Sequence, residues 1–142
     1  ATEVHGITTK EAQNGGVPLQ RALDQLEKAL GPAQRVVAHN ASFDIKTLAA
    51  EYYRQGWADR ASEGQGRPPV EKQAYDCTMK SGTALCKLPR EEGNGYKWPS
   101  LQELHQELFG EPVENAHDAL ADVRACARCF FEMKEREVDI HA

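Results

Sequence analysis

Two short runs, "RVVAH" (35–39) and "QAYDCT" (73–78), constrain this chain more than anything else in it. Each is too short for a stable helix and carries the β-branched or aromatic residues of a strand. The first is apolar enough to be read as buried on both faces. Such a strand wants a neighbour on either side, and an edge left open invites pairing with another chain. Two strands alone make a poor sheet. The expectation is therefore an α/β domain with further strands not present in these 142 residues.

The rest reads as about five helices. Leu19, Leu23, Leu26 and Leu30 recur at helical spacing over residues 18–30, and Gly31-Pro32 ends the pattern. "SFDIKTLAAEYYRQG" (42–56) is a second helix, with Phe43, Leu48, Ala49 and Tyr52 near one face. Residues 57–72 are polar and rich in Gly and Pro, so they are read as a surface loop, mobile in part. "MKSGTALCKL" (79–88) continues the second strand into a helix, and "PREEGNGYKWP" (89–99) is another loop. Ser100 and Glu103 form a capping-box pattern for a helix that Gly110 closes. The last helix is expected from near Asn115 to about Glu137, with Leu120, Val123, Ala127 and Phe130 as its apolar stripe.

A chain of 142 residues suffices for one domain with a real core. No apolar run approaches the roughly 20 residues of a membrane span. "ATEVHGITTKEAQ" lacks the basic and apolar regions of a signal peptide, so a cytoplasmic location is expected. The net charge of −5 weighs against a protein that grips nucleic acid through its phosphates with basic side chains. It is compatible with acids that hold cations which then meet a phosphate. Cys126 and Cys129 have the spacing of half a zinc site but fall inside a helical pattern. All four cysteines, Cys77 and Cys86 included, are read as free thiols, some of them packed as small apolar groups.

Chemistry is suggested by carboxylates that follow strand ends and open helices. Asp44 follows "VVAHN", and "HDALADVRA" (117–125) brings His117, Asp118 and Asp122 to a helix entrance. Alone, each acid could be an ordinary first-turn residue favoured by the helix dipole. Asp44 and Asp122 together, with a histidine and Asn40 nearby, suggest a metal-and-base site. Hard cations such as Mg²⁺ and Mn²⁺ take carboxylate oxygens, and a pair about 4 Å apart can clamp a phosphodiester. A histidine, with an ordinary pKa near 6.5, suits proton removal from water.

"VHGIT" (4–8), "VVAHNASFD" (36–44) and "HDALADVRA" (117–125) resemble, in order and spacing, motifs of the DnaQ-like 3′–5′ exonucleases of the DEDDh type. The resemblance implies a ribonuclease-H-like fold along nearly the whole chain. It implies that Asp44 and Asp122 are metal ligands for Mg²⁺ or Mn²⁺, two ions in the full-length enzyme, and that His117 is the general base. Val4, His5, Gly6 and Ile7 match the segment lining the pocket for the 3′-terminal nucleotide, and Asn40 and Phe43 flank that pocket in relatives. The implied activity is two-metal-ion hydrolysis of DNA 3′ ends, or of RNA, to nucleoside 5′-monophosphates. A polymerase subunit is an implied partner.

The departure from the pattern is a missing D-x-E, which supplies two of the family's four carboxylates; Glu3 cannot stand in for both. The first three strands of the fold belong to the same missing region. The expectation is a partial exonuclease domain over 1–142, an inactive fragment of a longer exonuclease. The remaining part supplied by a separate chain, and a natural truncated relative, stay open beside it. The alternative function is a non-catalytic binding or assembly module that keeps the exonuclease shape, and the open edge of strand 36–39 offers a route to self-association.

Overall fold

The computed structural model describes residues 6–142. The chain packs as two compact units, one of the described residues up to Gln34 with Ile45–Ala74, the other of Arg35–Asp44 with Tyr75–Ala142.

In the first unit, α1 (Thr9–Gly15) is opened by Thr8. The Glu11 N–H donates to the Thr8 hydroxyl and the Thr8 N–H donates to the Glu11 carboxylate, so two orphan donors are satisfied reciprocally. The α2 helix (Leu19–Leu30) buries Leu23 and Leu30, as the leucine spacing predicts, while Leu19 is exposed. Later in the unit, Ala49 and Tyr52 of α3 (Ala41–Arg54) are buried. Residues 57–72 are more ordered than the surface loop expected from their composition. Trp57 opens the short α4 (Trp57–Arg60), a wide turn follows at Ala61–Gln65, and a tight turn at Pro69–Lys72. Trp57 and Val70 are buried. The Trp57 indole packs edge-on against Tyr52 at 5.3 Å and donates from Nε1 to the Gly66 carbonyl at 2.8 Å. Polar composition hid two anchors that a core needs.

The second unit holds the sheet. Strands β1 (Arg35–Ala38) and β2 (Ala74–Cys77) pair in parallel, which demands a long crossover between them. β1 is half-buried rather than buried on both faces, because a two-stranded sheet gives each strand a single neighbour. Arg35 grips Asp76 across the pair, Nε to Oδ2 at 2.7 Å and Nη2 to Oδ1 at 2.5 Å. The Asp76 carboxylate is buried, so the fork of the guanidinium supplies what water would have. Three helices pack together beside the sheet: α5 (Thr78–Cys86), α6 (Leu101–Phe109) and α7 (Ala119–Glu135). Leu104, Leu108, Cys129 and Met133 form their core.

Three further expectations need correction. Among the described residues there are seven helices rather than about five, the additions being α1 and α4. The stripe expected on the last helix is also not its buried face. Leu120 and Val123 are 56% and 64% exposed, whereas Ala125, Cys126, Cys129 and Met133 are buried. The inward face is built from small and sulfur-bearing residues, which fit close helix packing but score weakly as apolar. Phe43, assigned to the packed face of α3, is likewise 64% exposed.

Candidate active site

β1 delivers the chain to a corner. After Ala38 the backbone turns through His39 and Asn40, and Asn40 takes a left-handed φ of 73°, which asparagine tolerates better than most residues. The turn starts α3 at Ala41, so Asp44 is the fourth helical residue and not a cap. A second corner forms before α7. His117 is also left-handed, with φ 73°. Asp118 then caps the helix, its Oδ1 accepting from the N–H groups of Leu120 and Ala121. Asp118 is therefore outside the helix and shares no helical face with Asp122. Asp122 reaches back, and its Oδ1 accepts from the His117 N–H at 3.3 Å.

The elements that meet at these corners line one cavity of about 410 Å³. Val37, Ala38 and His39 line it from the end of β1, Asp44 from α3, Leu101 from α6, and Asp122, Val123, Cys126 and Ala127 from α7. Its lining thus has two carboxylates and no lysine or arginine. Crowding by protein raises the Asp44 pKa above its ordinary value, a rise only partly offset by its own backbone N–H. Burial also raises the Cys126 thiol, and the Asp44 charge adds to this. Cys126 is thus a neutral wall beside Thr78 Oγ1, 3.6 Å away, rather than a nucleophile.

Of the residues singled out in the sequence, Asp44 and Asp122 come together on this cavity. His117 touches Asp122 through its main chain, while its side chain is exposed and outside the cavity lining. Asn40 and Phe43 stand on the corner leading to Asp44. Gly6, with φ 72°, and Ile7 belong to the first unit; His5, with Val4, lies outside the described residues.

One residue of the cavity escaped sequence reasoning. His39 Nε2 is 3.0 Å from the Pro99 carbonyl, which can only accept, so Nε2 carries the proton. Nδ1 then accepts from the Thr78 hydroxyl at 3.0 Å. Burial lowers the His39 pKa and holds it in this neutral form. With both nitrogens engaged, His39 has no lone pair for a substrate; it ties the end of β1 to α5 and to the turn before α6. Its partners lie far off in the chain, so no local motif announces it.

The exonuclease family model matches residues 1–130. The chain belongs to the exonuclease family. No curated protein and no solved structure gives a significant match. An exonuclease domain is a hydrolase whose substrate is nucleic acid, and the family generally works with divalent metal ions. The donors of this exonuclease chain fit such an ion in kind, since carboxylate oxygens are what hard cations take. They are few in number: no group of three or more His, Cys, Asp or Glu side chains is placed to hold a metal among the described residues. No helix among those residues is long and apolar enough to cross a membrane.

Proposed function

We propose that the chain is a DnaQ-like 3′–5′ exonuclease domain of the DEDDh type, ribonuclease-H-like in fold, acting on DNA 3′ ends with RNA as the alternative substrate. The observation that carries the reading is the meeting of Asp44 and Asp122 on one cavity whose lining has no cationic side chain. Two like charges sharing a cavity favour a cation as partner. Asp44 and Asp122 would hold Mg²⁺ or Mn²⁺, which when bound neutralises phosphate charge and eases ionisation of water.

His117 is the base in this reading. It stands on the entrance turn beside Asp122, bonded to it through its N–H, and the residue is exposed. The competing histidine, His39, has both nitrogens occupied. Asn40 and Phe43, and by the same resemblance His5, Gly6 and Ile7, are assigned to binding of the terminal nucleotide. The sequence contains no D-x-E, so the 142 residues by themselves turn over little substrate.

The test uses the product of the whole gene with Mg²⁺ and a 5′-labelled oligonucleotide. Stepwise shortening from the 3′ end with release of 5′-monophosphates is expected. His117→Ala should slow it by roughly 10²–10⁴-fold. Shortening from the 5′ end, or a His117→Ala rate within a few-fold of wild type, contradicts the assignment. The small donor set favours a second reading, a binding or assembly module without catalysis; it predicts no shortening in either direction.

A further inference from the structure

We propose that Trp98, next to the Pro99 that bonds the cavity's His39, is a base-stacking platform for single-stranded nucleic acid approaching the Asp44–Asp122 cavity, with Tyr96 as a second exposed aromatic of the same connection. The inference rests on the nuclease reading of that cavity and deepens it. The Trp98 side chain is 60% exposed and Tyr96 44%. Isolated exposed aromatics are common and mean little. What distinguishes this pair is how firmly its backbone is held and where.

Pro89 and Tyr96 form an antiparallel bridge, and the Lys97 N–H donates to the Leu88 carbonyl at 2.9 Å. Arg90 Nε donates to the Tyr96 carbonyl at 3.1 Å. On the other side of Trp98, Pro99 is fully buried and its carbonyl accepts from His39 Nε2. Ser100 caps α6, and Leu101 lines the cavity. Trp98 is therefore one residue from a clamp onto the cavity's own histidine. Tyr96, two residues earlier, is a second exposed aromatic on the same connection.

The occupant follows from chemistry. An aromatic face accepts any base, so stacking suits an enzyme that must pass every sequence. The hairpin's charges cancel: Arg90 and Lys97 stand against Glu91 and Glu92, and Lys97 is paired with Glu103 at 2.5 Å. Binding here draws on stacking rather than on phosphate attraction.

The 142-residue chain in EDTA, titrated with an unstructured oligothymidylate, tests this. Of its two tryptophans Trp57 is buried, so Trp98 supplies the quenchable emission. Saturable quenching is expected. Trp98→Ala should raise Kd roughly 10-fold without changing its salt dependence, and Trp98→Phe should stay within about 3-fold of wild type. If wild type binds and Trp98→Ala binds equally well, the platform is overturned while the nuclease reading stands. If wild type shows no saturable quenching, the platform is overturned too, while the nuclease reading is decided separately by 3′-end shortening of the whole gene product with Mg²⁺.

Discussion

His39 is engaged at both ring nitrogens, and this has a consequence for stability. Its folded pKa lies below the ordinary value because burial disfavours the imidazolium. Below about pH 6.5 the unfolded chain therefore binds a proton that the folded chain resists. Stability from this group is present above that pH and is lost as pH falls. Urea unfolding between about pH 7 and pH 5 should show wild type losing more stability than His39→Gln, which cannot titrate. Equal slopes would remove the bonding scheme inferred for His39. The same residue shows where sequence reading stops. Asp44 and Asp122 stand in motifs that fix their local neighbours, and the fold brings both to one cavity; the role of His117 is a proposal. His39 depends on Thr78 and Pro99, and Asp76 on Arg35, contacts that only the folded chain creates.

At the scale of elements, the α5–α6 contact is set by a missing side chain. A Cβ on Gly82 would come within 2.7 Å of Leu104 Cδ1, and Leu104 has no exposed surface into which to retreat. Gly82→Ala should cost about 1–3 kcal/mol in urea unfolding despite alanine's better helix propensity; a stabilised variant would mean that α6 can shift. At the start of α6, Ser100→Ala removes the hydroxyl that accepts from the Glu103 N–H. A loss of about 1 kcal/mol is expected, and no change in the urea midpoint would contradict the cap. This cap was readable as Ser100-x-x-Glu103. Thr8-x-x-Glu11 carries the same signal before a helix with no buried residue, and without an apolar stripe it went unread. The face of α7 was misread for the opposite reason: its most apolar residues point to solvent, while Cys126, Cys129 and Met133 fill the core. Their burial pushes the Cys129 thiol up to about 12, as it pushes Cys86 to about 11, so these sulfurs serve packing rather than reactivity.

For the molecule as a whole, an acidic chain of the exonuclease family brings two carboxylates from distant segments to one cavity. The two strands paired among the described residues were legible as the two strand-like runs; the division into two compact units was not, since it arises from which helices pack and not from any break in composition. The central claim is that Asp44 and Asp122 share a divalent cation. Substoichiometric Mn²⁺ added to the ¹⁵N-labelled chain tests it directly, because paramagnetic broadening reads proximity even when affinity is weak. Amide signals of residues 38–44 and 118–126 should broaden first, and Asp44→Asn should abolish that selectivity. Broadening centred elsewhere, or unchanged by Asp44→Asn, would contradict the account.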